Sequence, residues 1–180
     1  FNGSDLGPIP VIRARLKDFD IVYSPHVAFY GSIPATLRHS PGTRVTLFVD
    51  WLTPEQESHM HETEIPMGNY HFGELDGIEL QLDFGPAMTS AYVYLSRRGS
   101  LTRDGFPVAL AAVRAENRKW ASLNQEEIQN HARDVTAAGQ PLEAFIRAAI
   151  EDDSARQERT RALMSDGLPF NYSGFTPIEI

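Results

Sequence analysis

Four side chains able to carry or bind protons fall within one short stretch: His59, His61, Glu62 and Glu64. Three kinds of chemistry use such groups. A metal centre needs three or four ligands converging on one point. On a helix, residues two apart point about 200° apart, so His59 and His61 share a face only on a strand. His61 and Glu64 share a helical face, but two ligands do not close a site, and there is no HExxH pair. A serine hydrolase needs a nucleophile on a sharp turn. Gly-x-Ser-x-Gly is absent, although Ser4 and Ser32 each follow a glycine. The third option is a single carboxylate working as acid and base. Glu64 is followed by Ile65, Pro66, Met67 and Gly68. A carboxyl group among such neighbours loses hydration, which favours its protonated form and suits it to proton transfer. The ordinary alternative is a helix end in water.

The segment from Leu52 to Tyr70 must position these groups, and it reads as one helix. Thr53 is a good N-cap, Pro54 suits the first helical position, and Gln56 completes a capping box. Pro66 and Gly68 stop the helix, and a strand-like segment through Tyr70 follows. Other strands are expected at Val11–Leu16, Phe19–Tyr23 and Ala91–Leu95. Across Thr43–Trp51 the residues Val45, Leu47, Val49 and Trp51 alternate, and Phe48 between them suggests that the second face is partly covered too. Ile78, Leu80, Leu82 and Phe84 alternate in the clearest strand, and Asp76-Gly77 before it predicts a hairpin turn pairing it with Asn69–Leu75. Tyr30-Gly31-Ser32 reads as a structural turn. Towards the end, Asn124 and Glu127 predict a capped helix closed by Gly139. Pro141 opens another, with Leu142, Phe145, Ile146, Ala149 and Ile150 on one face. This helix is expected to continue as a charged arm from Glu151 to Arg161, solvated or partner-binding. The tail from Leu168 to Phe175 is aromatic and irregular, suited to lying over a core or a site.

Short strands joined by hairpin-length turns imply an α+β fold with a small mixed, mostly antiparallel β-barrel flanked by helices. Residues 1–115 would form the barrel domain, and residues 116–180 a C-terminal helical extension packed on the same domain. The 180 residues suffice for a sizeable core. The formal charge of −8 argues against a nucleic-acid partner. No apolar run long enough to span a membrane occurs, and no cysteine offers a thiolate ligand or nucleophile.

The order of several segments resembles the γ-glutamylcyclotransferase-like (AIG2-like) family. Phe1-Asn2-Gly3-Ser4-Asp5-Leu6 is similar to its Tyr-Gly-Ser-Asn-Leu loop, and Phe19–Tyr23 to its next strand. Ala35-Thr36-Leu37 with Ser40–Val45 resembles its "ATI…PGxxV" segment. Leu52–Glu55 with Met60–Glu64 resembles its acidic helix, and Tyr70 stands at the place of a family aromatic. Asn2 replaces the family's Tyr, and Asp5 replaces its Asn. The resemblance implies a cytoplasmic, cofactor-independent enzyme with Glu64 as the acid/base. Asn2, Gly3, Ser4, Asp5, Leu6 and Tyr70 would hold a small-molecule substrate. It implies cleavage of a γ-glutamyl or related small amide by cyclisation to 5-oxoproline; a homo-oligomer is compatible with it. The alternative is a non-catalytic small-molecule or protein-binding module on the same fold, to which Asn2, Asp5 and the charged arm point.

Overall fold

The computed structural model describes residues 7–64 and 68–180. Its backbone is an antiparallel hairpin of two long strands, β1 (Val11–Tyr23) and β2 (Ala35–Asp50), paired from Val11↔Asp50 to Tyr23↔Ala35. The segments expected as two strands, Val11–Leu16 and Phe19–Tyr23, form one strand interrupted by a bulge. Asp18 adopts φ +63°, a conformation that Asp tolerates better than most residues, and its Oδ1 accepts from Gly42 N at 2.6 Å. The pairing shifts there from Lys17↔Arg44 to Phe19↔His39. Ser40-Pro41-Gly42 is therefore a kink within β2.

The first helix, α1 (Pro54–Glu64), follows β2. Its N-terminus closes as the sequence implies: Gln56 N donates to Thr53 Oγ1 at 3.2 Å, and Thr53 N donates to Gln56 Oε1 at 2.9 Å. Next come β3 (Tyr70–Leu82) and β4 (Met88–Ser96), an antiparallel pair. The hairpin expected at Asp76-Gly77 does not form. A two-residue hairpin turn of that kind needs positive φ at both central residues. Only Gly77 has it, at +69°, so the strand runs through as a bulge and turns later, between Leu82 and Met88. Tyr172 OH donates to the carbonyls of Asp76 and Gly77 at 2.8 and 3.0 Å, which satisfies the disturbed ladder.

Six short strands complete the β structure among the described residues: β5 (Thr102–Arg103), β6 (Phe106–Pro107), β7 (Ala109–Leu110), β8 (Ala115–Glu116), β9 (Ser122–Leu123) and β10 (Phe175–Pro177). The main path is β10-β3-β1-β2-β8, with β4 on β3 and β7 joining β1 to β9. All pairs are antiparallel except β7–β9. The protein is thus α+β, with a large, mostly antiparallel sheet. Among the described residues, no strand pairing joins the ends of that path.

Three helices follow β9. They are α2 (Gln125–Thr136), α3 (Leu142–Glu151) and α4 (Asp153–Met164). The capping box of Asn124 and Glu127 is present. The single helix expected from Pro141 to Arg161 is two. Asp152 is extended (φ −126°, ψ 104°), and its carboxylate accepts from Ala155 N at 3.1 Å, ending α3 and capping α4. No helix among the described residues is long and apolar enough to cross a membrane.

Two apolar clusters hold these elements. Ala14, Leu16, Phe19, Val45, Leu80 and Leu95 pack within the sheet, and the tail residues Phe170, Tyr172 and Phe175 lie against them. Tyr23, Val27, Ile33 and Val108 pack with Ile128, Phe145, Ala149 and Leu163 of the three later helices. Complete burial of a side chain such as Phe145 contributes about 1.5–3 kcal/mol. Four residues expected on apolar faces lie outside both clusters, among them Trp51 at 39% and Ile150 at 52% exposure. Phe84 falls beyond the end of β3 and is 78% exposed; Phe48 is 68% exposed, so the second face of β2 is open there.

Candidate functional site

A cleft of about 390 Å³ opens where α1 ends, β3 begins and α4 passes. Glu64, the last residue of α1, and Tyr70, the first of β3, both line it. Both are half-buried. The connection between β1 and β2 supplies His26 and the 28–30 segment. That connection is fixed by its own backbone: Ser24 N donates to Pro34 O, Ala28 N to Ser32 O, and Gly31 N to Ala28 O, at 2.7–2.8 Å. Tyr30-Gly31-Ser32 is the tight turn expected, with Gly31 at φ +81°. A Cβ at Gly31 would lie 2.8 Å from Ile146 Cγ2, so the turn also needs glycine to pack on α3. The turn sends Tyr30, 58% exposed, to the cleft, its ring edge-on to Phe29 at 4.9 Å.

The electrostatics follow first from burial and then from nearby charges. Burial first, then the charge of Glu64 and the neighbouring Tyr30, push the Tyr70 phenol up to about 12. Burial, then Glu64 and Glu57, push Tyr94 up to about 12 as well. Both phenols therefore stay protonated and act as donors through the ordinary pH range. Arg98 follows β4. Its Nε and Nη2 donate to Asn69 Oδ1 at 3.3 and 3.0 Å, and burial lowers its pKa. The fourth side is α4, with Asp153, Arg156, Gln157, Thr160 and Arg161.

Beneath the cleft lies a buried polar chain. Ser24 Oγ is 3.0 Å from His26 Nδ1 and 2.6 Å from Ser96 Oγ, and Arg98 N donates to Ser96 Oγ at 3.1 Å. His26 is 3% exposed; burial, then the charge of Arg98, lower its pKa to about 4. Folded His26 stays neutral where unfolded His26 has begun to charge. Below the ordinary value of 6.5 the unfolded chain binds the extra proton, so stability falls as pH drops from about 6.5 to about 4 and levels below. The expected loss from this group is roughly 3 kcal/mol. Denaturant unfolding at pH 7 and pH 4.5 measures it, and His26→Gln should flatten that part of the profile. An unchanged slope in that variant would assign the loss to other groups.

The structure brings together two of the residues singled out in the sequence, Glu64 and Tyr70. Asn2, Gly3, Ser4, Asp5 and Leu6 lie outside the described residues. The histidines of α1 serve elsewhere. His61 Nδ1 is 2.6 Å from the Tyr94 hydroxyl, with its ring against Phe72, and His59 Nδ1 faces Glu62 at 3.3 Å. Among the described residues, no group of three or more His, Asp or Glu side chains could hold a metal ion. Tyr30 reads in the sequence only as part of a structural turn, and His26, Arg98 and the α4 residues have no motif to announce them. Only the charge of the Glu151–Arg161 arm marked α4, and charge alone does not separate a cleft wall from a solvated face. In comparisons with known proteins, the chain matches no family model, no curated protein and no solved structure.

Proposed function

We propose that the chain is a γ-glutamylcyclotransferase-like enzyme, cleaving a γ-glutamyl or related small amide by cyclisation, with Glu64 as general acid/base. The observation that carries the reading is the placement of Glu64 on the cleft with Tyr70, a phenol kept protonated by burial first and by the charge of Glu64 second. In this mechanism the Glu64 carboxylate takes a proton from the substrate's α-ammonium group. The freed amine attacks the γ-carbonyl carbon, closing a five-membered ring. The C–N bond to the leaving amine breaks as Glu64 returns the proton to that nitrogen, and the ring nitrogen loses its second proton to water. The products are 5-oxoproline and a free amine. Intramolecular attack brings a large entropic advantage, so one positioned proton carrier and a few N–H donors suffice. Tyr70 is a donor within reach of the same space. The other expected donors, the backbone of Gly3 to Leu6, lie outside the described residues.

The reading includes a barrel-like curl of the sheet over residues 1–115, with residues 116–180 as a helical extension. Ser96 N of β4 donates to Thr36 Oγ1 of β2 at 3.1 Å, a contact that favours such a curl. Incubation of the full chain with a panel of γ-glutamyl amides, followed by chromatography for 5-oxoproline, tests the activity. Release from at least one member is the expected result; no release from any would remove it.

A further inference from the structure

We propose that Arg98 and Arg161 form a subsite of the same cleft that binds a carboxylate of the ligand. The inference rests on the proposed activity only for the identity of the substrate; the anion site stands on its own geometry.

Arg98 is a half-buried guanidinium whose hydrogen-bond partners among the described residues are all neutral. Asn69 Oδ1 takes Nε and Nη2, and Met164 Sδ takes Nη1 at 3.1 Å. Among the described residues no carboxylate lies within 4.0 Å of it. A cation removed from water ordinarily sits beside an anion, because its lost hydration must be replaced. Arg118 pairs with Asp20, and Arg156, on this same cleft, pairs with Asp153, whereas the buried Arg38 and Arg159 are held by neutral oxygens; Arg98 differs from those two in lining an open cleft that a ligand can enter. Arg161 also lines the cleft without an ion pair among the described residues. The lining thus carries three guanidiniums against the carboxylates of Glu64 and Asp153, in a chain whose formal charge is −8. A fixed, planar fork with uncompensated charge matches a carboxylate. The two carboxylates on the same cleft disfavour a doubly charged phosphate.

The test uses glutarate and its neutral diamide, glutaramide, titrated calorimetrically into the full chain at low ionic strength. Glutarate should bind with a dissociation constant on the order of a millimolar, and glutaramide at least tenfold more weakly. Arg98→Gln should weaken glutarate binding tenfold or more. Arg161→Gln, at an exposed position, should weaken it about threefold through charge alone. The second variant decides if loss of the Asn69 contacts unfolds the first. Glu64→Gln should bind glutarate at least as tightly as the wild type. Equal binding of glutarate and glutaramide, arginine variants that bind glutarate like the wild type, or inorganic phosphate binding more tightly than glutarate would each overturn the subsite. Arginine-dependent glutarate binding without 5-oxoproline release keeps the subsite and removes the activity. Release of 5-oxoproline with glutarate binding indifferent to the arginines does the reverse.

Discussion

Replacing Glu64 by Gln is expected to lower 5-oxoproline release by about 10²- to 10⁴-fold, the span that a positioned acid/base contributes. Gln keeps the size of the side chain but neither accepts nor gives up a proton as an acid or base. The loss should therefore fall on kcat, with little change in KM. The Glu64 side chain makes no hydrogen bond or ion pair among the described residues, so the substitution should shift stability by no more than about 0.5 kcal/mol. A thermal melt beside the kinetic assay separates lost chemistry from lost fold. Undiminished turnover in a folded Glu64→Gln protein would show that the proton travels by another group.

The largest expected effect on stability lies away from the cleft. Asp20 is 0% exposed, and Arg118 meets it with two bonds, Nε to Oδ2 at 2.9 Å and Nη2 to Oδ1 at 3.0 Å. Arg118 Nη2 also donates to Val113 O at 2.9 Å, tying the segment after β7 to β1. Removing only the cation leaves a buried carboxylate without its counter-charge. Arg118→Ala should then cost about 3–5 kcal/mol. For a chain of this size that is a fall of roughly 6–20 °C in melting temperature. The double change Asp20→Asn with Arg118→Met should recover much of the loss, because neither residue then carries an unpaired charge. Asn at position 20 can still accept from Ile21 N, as Asp20 Oδ1 does at 2.8 Å. A melting temperature for Arg118→Ala within 2 °C of the wild type would mean that water reaches Asp20, contrary to its burial.

Local physics made some elements readable from the sequence. The Thr53/Gln56 and Asn124/Glu127 caps satisfy backbone donors within three residues, and both formed. Alternation at Ile78, Leu80 and Leu82 reported a sheet with one buried face, and all three are buried. The failures share one cause, which is that distant chain decided the outcome. Asp76-Gly77 and Asp104-Gly105 look alike in sequence. At Asp104-Gly105 both residues take positive φ, +54° and +78°, between β5 and β6. At Asp76-Gly77 the ladder to β4 and the Tyr172 hydroxyl hold an extended path. Asp152 resembles any acid in a charged run until its carboxylate turns back to cap α4. Glu64 stands out in the sequence at a helix stop and Tyr70 by the family resemblance, and both line the candidate cleft. His26, Arg98 and Arg161 arrive from three other parts of the chain, and nothing local says that they meet.

The break at Asp152 gives α4 two sides with separate duties. Arg159 and Leu163 are buried and anchor it; Arg159 Nη1 donates to Phe145 O at 2.6 Å. Asp153, Gln157 and Arg161 recur every fourth residue, which on a helix makes one stripe, and that stripe borders the cleft. Exchanges along it can reset the sign and reach of the ligand-facing wall while the anchor stays seated and Glu64 keeps its post on another helix. Ligand preference in such a scaffold is free to drift, or to be engineered, without rebuilding whatever chemistry the cleft performs.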